Sequence, residues 1–178
     1  MGAGKGTIVE YLVDKENFTH YSVRGFLLEK IRELGLPENR DSMFYLANLL
    51  RADHGPSYVV DELYEKAVMK GNNSVIESVR TTGEVTSLRS KGPIHLFAMD
   101  ADPFIRYERI KQRATETDMI TLKTFMDNEL RESVSMDPGV QNLQACIRLA
   151  DFTFYNNGTK EQLYQDIELV LESIITKS

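Results

Sequence analysis

The chain begins with a glycine-rich stretch that reads MGAGKGT. Closely spaced glycines let a backbone approach phosphate oxygens, and a neighbouring lysine supplies a positive charge. Phosphate-binding loops follow the pattern G-x-x-x-x-G-K, and Gly4 and Lys5 match its last two positions. The first glycine of that pattern would lie two residues before Met1. The stretch predicts a phosphate-binding loop formed by Gly2, Ala3, Gly4, Lys5, Gly6 and Thr7. A glycine-rich turn with a solvated lysine is the alternative interpretation.

A second candidate pair, Glu77 and Arg80, follows the apolar residues Val75 and Ile76. The pair stands where a predicted strand gives way to a loop. In open α/β sheets, ligands bind at the carboxyl ends of the strands. At such an edge Glu77 would hold Mg²⁺ through water molecules, and Arg80 would bind an anionic acceptor. A surface ion pair at the end of a strand is the alternative interpretation.

Three arginines share one face of a predicted helix, because Arg106, Arg109 and Arg113 follow the spacing i, i+3, i+7. Like charges on one face repel each other unless an anion lies in front of them. This face runs toward the polar segment 114–136, so Arg109 and Arg113 are predicted to hold phosphates across the hinge of a lid. A solvated charged face is the alternative interpretation.

Another predicted helix has two contrasting faces. Its apolar face is formed by Met43, Leu46, Ala47 and Leu50. Its other face is formed by Arg40, Phe44, Asn48 and Arg51. An aromatic ring, an amide and two cations suit an aromatic acceptor that carries phosphate, so these four residues are predicted to bind substrate. An amphipathic surface helix without a ligand is the alternative interpretation.

Strands and helices must alternate to position these residues. Apolar spacing predicts a helix from Thr7 to Val13, which places the glycine-rich loop at a positive helix N-terminus. Strands are predicted at Thr19–Val23, Asn73–Glu77, Ile94–Met99 and Phe152–Tyr155. Helices separate most of these strands, and this order indicates an α/β fold with a parallel sheet covered on both faces.

Helices accumulate without an intervening strand in two segments. Residues 24–70 are predicted to form three helices, and residues 114–136 are predicted to contain one near Leu122–Glu132. We expect both segments to cover one active site, the first as an acceptor-side helical insertion and the second as a lid. No linker or repeat divides the sequence, so residues 1–178 are expected to form a single domain.

The composition argues against several classes of protein. The 178 residues are 42% hydrophobic and 27% charged, which is typical of a folded enzyme and not of a disordered chain. The net charge of -6 argues against unspecific binding of nucleic acid polymers.

Cysteine content and hydropathy indicate a compartment. Cys146 is the only cysteine, so no intrachain disulfide can form and a reducing environment is expected. No apolar run approaches the roughly 18 residues of a membrane span, and the sequence shows no signal peptide. We therefore expect a cytoplasmic protein without a membrane partner, and the oligomeric state stays open.

Together, these motifs resemble the nucleoside monophosphate kinase branch of the P-loop kinases, which includes adenylate kinases and dephospho-CoA kinase-like proteins. The resemblance covers nearly the whole chain. The stretch GAGKGT is similar to the kinase form of the phosphate loop. ESVR at 77–80 is similar to the family's acidic-G-x-R strand end, and RIKQR at 109–113 to its R-x-x-x-R lid hinge. NNGT at 156–159 is similar to the loop that lies beside the base.

The resemblance implies a three-layer P-loop fold, in which helices flank a parallel sheet, and a dependence on ATP and Mg²⁺. It implies catalytic roles for Lys5, Arg80, Arg109 and Arg113. Arg109 would also contact ATP, and the backbone of Asn157 and Gly158 would face the adenine. Arg24 would replace the acceptor-binding arginine of adenylate kinases, and Glu77 would hold the metal.

The chain departs from the family pattern at three places. Gly6 stands where the usual loop has Ser or Thr, which removes one direct Mg²⁺ ligand and leaves the water-mediated contacts of Glu77. The acceptor segment reads SVRGFLL at 22–28, where adenylate kinases have roughly S-T-G-D-L-L-R, so the arginine is displaced to Arg24. The first strand of the fold would lie upstream of Met1, and it is expected to be missing from this sequence.

Three functions are consistent with these patterns. The leading hypothesis is a phosphotransferase that moves the γ-phosphoryl group of ATP to a nucleotide or nucleotide-like small molecule. Dephospho-CoA kinase activity is the alternative among enzymes. A regulatory protein that binds nucleotides at a degenerate kinase site, without catalysis, is the alternative from another class.

Overall fold

The computed structural model describes residues 1–113, 119–133 and 141–176, in which helices and strands alternate. The strands are β1 (Thr19–Ser22), β2 (Ser74–Glu77), β3 (Phe97–Asp100) and β4 (Phe152–Tyr155). The helices are α1 (Lys5–Asp14), α2 (Val23–Glu33), α3 (Arg40–His54), α4 (Tyr58–Lys70), α5 (Thr82–Lys91), α6 (Pro103–Arg113), α7 (Leu122–Ser133), α8 (Leu143–Arg148) and α9 (Lys160–Ile175). The predicted α/β class is confirmed.

The strands form two small parallel sheets within the described residues. β1 pairs with β2, with Ser22 opposite Glu77, and β3 pairs with β4, with Asp100 opposite Tyr155. The parallel pairing confirms the prediction, whereas the division into two sheets differs from the single sheet that was expected. Because paired strands end together, the polar residues that follow them gather at one edge of each sheet.

Strand β3 begins at Phe97, three residues later than the apolar run predicts. The backbone just before Phe97 is hydrogen-bonded to the turn that leads into β4. Leu96 N donates to Asp151 Oδ2 at 2.7 Å, and Leu96 O accepts from Asp151 N at 2.8 Å. These contacts close the turn around Leu96, so the regular ladder starts only at the next residue.

Side-chain hydrogen bonds set where several helices begin. Thr81 Oγ1 accepts from Glu84 N at 3.1 Å, and Glu84 Oε2 accepts from Thr81 N at 3.1 Å, so α5 begins with a capping box. Thr159 and Gln162 form a second capping box at the start of α9. Ser22 caps α2, so this helix follows β1 without a loop.

The segment 24–70 contains α2, α3 and α4, as predicted, and these helices share one apolar cluster. Its buried members include Ile31, Leu46, Val59, Val60 and Leu88. Each buried side chain of this kind stabilises the fold by about 1.5–3 kcal/mol. The cluster therefore holds the three helices firmly against α5.

A second cluster supports the start of the chain. Buried apolar residues of α1, β4 and α9 form it, namely Ile8, Tyr11, Leu12, Phe154, Leu163 and Ile167. The hydroxyl of Tyr11 donates to Glu168 Oε1 at 2.7 Å, which joins α1 to α9. Helix α1 is thus a rigid support for the loop that precedes it.

The predicted lid is described in part. Its helix α7 confirms the helix predicted near Leu122–Glu132, whereas residues 114–118 and 134–136 lie outside the described residues. Phe125 is fully buried, and the ring of Tyr107 lies 5.7 Å from it between centroids. Helix α7 therefore packs onto α6 through Phe125.

The domain organisation stays a prediction. It comprises a single domain over residues 1–178, with an acceptor-side insertion at 24–70 and a lid at 114–136. In the part of the chain that the structure describes, no helix combines the length and the apolar character needed to cross a membrane.

Candidate functional site

The glycine-rich loop lies directly before α1, as predicted. Gly4 has a φ of 97° and a ψ of 15°, a left-handed conformation that glycine adopts without steric cost. Thr7 N and Ile8 N donate to Gly4 O at 3.0 and 3.3 Å, so the helix starts immediately after the loop. Lys5 and Gly6 lie in its first turn, where the side chain of Lys5 is half-buried, at 49% exposure. A helix N-terminus favours a bound anion through its N–H groups and its partial positive charge.

Two glycines of this loop leave no room for a side chain. A Cβ atom at Gly2 would lie 2.4 Å from Arg106 O, and one at Gly4 would lie 2.1 Å from Asn156 Nδ2. A Cβ atom at Gly6 would meet nothing within 4 Å in the described structure. Gly2 and Gly4 are therefore needed for the close packing of the loop, whereas Gly6 is not.

Asn156 follows β4 and holds the loop in place. Its Nδ2 donates to Ala3 O at 2.9 Å, and its backbone N donates to Asp100 O at 2.8 Å. The residue is buried, so both contacts are shielded from water. The sequence pattern predicts roles for Asn157 and Gly158 and misses this one. The available signal is a polar residue directly after an apolar strand, where ligand sites of α/β sheets lie.

Lys5 and Glu77 meet at the carboxyl end of β2. Lys5 Nζ forms an ion pair with Glu77 Oε2. Glu77 Oε1 accepts from Ser22 Oγ at 2.7 Å and lies 3.7 Å from His20 Nε2. The structure thus brings together the predicted loop lysine and the predicted metal-binding acid. Ser22, which the motifs do not single out, orients the carboxylate.

Three arginines lie close enough to Lys5 to affect its protonation. Burial, together with the positive charges of Arg80, Arg24 and Arg113, lowers the pKa of Lys5 from 10.5 to about 8. These arginines come from the turn after β2, from α2 and from the end of α6. The structure therefore gathers four of the predicted cations around one loop, and a bound anion would relieve their mutual repulsion.

Arg80 lies in the turn between β2 and α5. Its backbone N donates to Glu84 Oε2 at 2.6 Å, and its backbone O accepts from Asn142 N at 2.8 Å. Arg80 Nη1 donates to Gln141 Oε1 at 3.3 Å. The turn is therefore fixed from two sides, by α5 and by the residues that precede α8.

The two predicted hinge arginines contact different parts of the site. Arg109 Nη1 donates to Asn156 O at 2.8 Å, and Arg109 Nη2 donates to Gly158 O at 3.5 Å. The positive charge of Arg113 contributes to the lowered pKa of Lys5. Arg109 therefore contacts the loop 156–159, whereas the charge of Arg113 acts on Lys5 in the first turn of α1.

The backbone of the loop 156–159 contacts Arg109. Asn157 Oδ1 accepts from Asp102 N at 2.8 Å, so the side chain of Asn157 holds the start of α6. Gly158 O accepts from Arg109. A base bound beside this loop would therefore meet the backbone rather than the Asn157 side chain.

The residues predicted to bind substrate on α3 do not share one environment. Arg40 Nη1 donates to the Sδ atom of Met1 at 2.9 Å, which places the start of α3 beside the phosphate loop. Phe44 and Asn48 are partly exposed. Asn48 Oδ1 accepts from Arg51 Nη1 at 3.3 Å. Arg40, Phe44 and Asn48 are thus each partly exposed, and Arg40 lies beside the loop.

Arg51 departs from this predicted face. Its side chain is 5% exposed and forms an ion pair at 3.1 Å with Glu84, which is 1% exposed. Arg51 lies one helical turn after the buried residue Ala47, so it shares the face that packs into the protein. The predicted contact between Arg51 and substrate is therefore corrected to a buried contact with Glu84.

Ser78 adopts a left-handed conformation with a φ of 74° between Glu77 and Arg80. This conformation costs an L-residue about 1–2 kcal/mol. Ser78→Gly is expected to raise the free energy of unfolding by about 0.5–1 kcal/mol, because the relief exceeds the entropy that glycine adds to the unfolded chain. Chemical denaturation followed by circular dichroism measures this change.

Asn17→Gly is the matched control for Ser78→Gly. Asn17 also has a positive φ, of 56°, but asparagine adopts this conformation more readily than serine, so a smaller gain is expected. If Ser78→Gly left the stability unchanged or lower, the conformation of Ser78 would carry no strain.

Three curated proteins are similar to this chain over nearly its whole length. The chain is 29% identical to a UPF0200 protein of Thermococcus kodakarensis over 99% of this chain and 95% of that protein. It is 26% identical to a UPF0200 protein of Pyrococcus abyssi, with 98% and 92% covered. It is 25% identical to a UPF0200 protein of Methanocaldococcus jannaschii, with 98% and 86% covered. None of these names states an activity.

A protein-family model matches most of the chain. The model described as an AAA domain matches residues 1–135. The matched region contains the glycine-rich loop, the Glu77–Arg80 strand end and the arginines of α6. The chain belongs to the AAA domain family, within the P-loop kinase superfamily.

Proposed function

We propose that the protein is a phosphotransferase that moves the γ-phosphoryl group of ATP to a nucleotide or nucleotide-like small molecule. The observation that carries this proposal is the position of Lys5. It lies at the start of α1, pairs with Glu77 at the end of β2 and has Arg24, Arg80 and Arg113 around it. Several cations and one acid at a helix N-terminus suit a site that holds phosphates together with a metal ion.

The loop would bind the phosphates of ATP. Gly2 and Gly4 bring the backbone close, and the first turn of α1 provides N–H donors. Thr7 would contribute its hydroxyl, because its N–H already donates to Gly4 O. Lys5 would neutralise negative charge on the γ-phosphoryl group while it is transferred. Phosphoryl transfer depends mainly on such positioning and charge stabilisation.

Glu77 would hold Mg²⁺, which would neutralise charge on the phosphates. Mg²⁺ prefers oxygen ligands and keeps several water molecules, so one carboxylate beside the Ser22 hydroxyl fits this ion. Gly6 has no side-chain oxygen to offer. In this structure Lys5 and Glu77 pair with each other. When ATP and Mg²⁺ bind, Lys5 would pair with the phosphates and Glu77 with the metal ion.

The base and the acceptor would bind on opposite sides of the loop. Arg109 and the backbone of Asn157 and Gly158 would contact the base of ATP. Arg80 and Arg113 would stabilise the charge of the reacting phosphates. The acceptor would lie beside α2 and α3 and meet Arg24, Arg40, Phe44 and Asn48.

A regulatory protein that binds nucleotides without catalysis is the second candidate. Two observations favour it. Lys5 is engaged by Glu77, and Gly6 provides no metal ligand. Such a protein would bind ATP but would form no ADP with any acceptor.

Isothermal titration with MgATP, combined with an ADP-release assay over nucleoside monophosphates and dephospho-CoA, tests both functions. ADP release that depends on one acceptor supports the phosphotransferase and identifies its substrate class. ATP binding without ADP release supports the regulator. A protein that does not bind ATP contradicts both functions.

The proposed setting is the cytoplasm, with small molecules as partners. Burial, helped by the charge of Glu84, raises the pKa of the Cys146 thiol to about 11, so this thiol stays protonated and unreactive. The net charge of -6 favours small anions held in a local cationic site over nucleic acid polymers.

A further inference from the structure

A buried ion pair links the helical insertion to the core of the protein. Arg51 belongs to α3, and Glu84 belongs to α5. Arg51 Nη2 donates to Glu84 Oε1 at 3.1 Å, and both side chains are almost fully buried. The pair therefore connects two elements that lie far apart in the sequence.

The second oxygen of the same carboxylate holds the turn that carries Arg80. Glu84 Oε2 accepts from Arg80 N at 2.6 Å and from Thr81 N at 3.1 Å. An ordinary capping box needs only the second of these bonds. The additional bond fixes the backbone of Arg80 directly, and hydrogen bonds to a charged acceptor are stronger than neutral ones.

Arg80 in turn lies between several parts of the site. It lies three residues after Glu77, whose carboxylate forms an ion pair with Lys5, so the turn that carries Arg80 lies beside the phosphate loop. Its side chain and its backbone O also contact Gln141 and Asn142, which follow the predicted lid. A shift of the Arg80 backbone would therefore change the cationic site and its connection to this segment together.

Stability alone is a weak explanation for the pair. Two buried charges lose their hydration, and well-packed apolar residues of similar volume often stabilise a protein as well or better. Arg51 Nε also has no hydrogen-bond partner among the described residues. A pair that costs hydration and leaves a donor unsatisfied is better explained by what it positions.

We propose that Arg51 and Glu84 are positioning residues, which fix Arg80 at the phosphate site from the acceptor-side helices. This inference rests on the proposed function, because it assumes that Arg80 binds phosphate. The pair acts through the backbone of Arg80 and does not contact the ligand itself. Movement of α3 when an acceptor binds would therefore be transmitted to Arg80.

Titration calorimetry with inorganic pyrophosphate tests the inference on the full chain. The central variant is Arg51→Met with Glu84→Leu, which replaces both charges with apolar side chains. Arg51→Met with Glu84→Gln is the milder variant. Its glutamine keeps one side-chain oxygen that can accept from Arg80 N and Thr81 N, so this variant is expected to fold even if the central variant does not. Arg32→Met with Glu38→Gln removes an exposed ion pair of the same insertion and serves as the matched control. Circular dichroism and thermal unfolding verify that each variant is folded.

The wild-type protein and the matched control are expected to bind pyrophosphate with Kd values within about twofold. The central variant is expected to bind pyrophosphate about tenfold more weakly. A tenfold change in Kd corresponds to roughly the free energy of one hydrogen bond to a charged group. The milder variant is expected to lie between them. Arg80→Met alone should weaken binding to a similar degree as the central variant.

Combining the substitutions distinguishes positioning from a merely structural role. In an Arg80→Met background, the central pair of substitutions should change Kd by less than twofold, because its effect acts through Arg80. Additive losses, or wild-type affinity in the folded central variant, would overturn the inference while the phosphate site stands. A wild-type protein that does not bind pyrophosphate would instead overturn the proposed function, and the inference with it.

Discussion

Lys5→Ala is expected to lower the rate of phosphoryl transfer by about 10²–10³-fold, the usual effect of removing one preorganised charge from a transition state. Lys5 lies at the start of α1 and pairs with Glu77. During the reaction its ammonium group would separate from Glu77 and contact the phosphoryl group that is being transferred. The fold should stay intact, because burial and three neighbouring arginines already disfavour the charge of this lysine. Steady-state ADP release, with circular dichroism and Tm on the same samples, measures both effects.

Two control variants make the Lys5 result specific. Lys5→Arg keeps a positive charge and should retain more activity than Lys5→Ala. Lys160→Ala removes a similarly exposed lysine that pairs with Glu10 on the surface, and it should leave the rate unchanged. Near-normal turnover in Lys5→Ala would contradict a catalytic role for the loop.

Gly4→Ala is expected to weaken ATP binding by about 10–100-fold. At a φ of 97° a Cβ atom is strained, and a strain of about 1–3 kcal/mol corresponds to this range of affinity. The new atom would also lie 2.1 Å from Asn156 Nδ2, the group that holds the loop through Ala3 O. Titration calorimetry with MgATP measures the loss.

Gly6→Ala is the matched control within the same loop. Gly6 lies in the first turn of α1, and its Cβ atom would meet nothing within 4 Å among the described residues. Alanine also favours a helix over glycine by about 0.5–1 kcal/mol, so this variant should be as stable as the wild type or more so. Equal ATP affinities of Gly4→Ala and Gly6→Ala would show that the left-handed turn does not shape the site.

The secondary structure follows largely from local patterns. The capping boxes at Thr81/Glu84 and Thr159/Gln162 are satisfied within four residues, so their geometry depends little on the rest of the chain. The parallel pairing follows from the alternation of strands and helices. The late start of β3 does not, because it depends on Asp151, which lies 55 residues after Leu96.

The positions of the predicted site residues follow best from the sequence where a motif fixes the backbone. Gly4 and Lys5 lie at the start of α1 because the loop and the helix are adjacent in sequence. Glu77 and Arg80 lie at a strand end because the apolar run before them marks a strand. The contact between Lys5 and Glu77 agrees with these local assignments.

The rest of the site depends on tertiary packing that periodicity alone does not determine. Helical spacing places Arg51 near the polar stripe and also near the apolar face, and only the packing of α3 against α5 shows that it is buried. Asn156 and Ser22 act through contacts with distant parts of the chain, at Ala3 and Glu77. Sequence spacing cannot reveal such long-range hydrogen bonds.

Transfer of a radioactive γ-phosphoryl group from ATP to a panel of nucleotides is the most direct measurement of the central claim. The proposed function predicts that one acceptor becomes labelled in step with ADP formation, and that Lys5→Ala lowers the rate of labelling by about 10²–10³-fold while the variant stays folded. ATP binding without a labelled acceptor, or equal labelling by the wild type and Lys5→Ala, would contradict a phosphotransferase centred on Lys5.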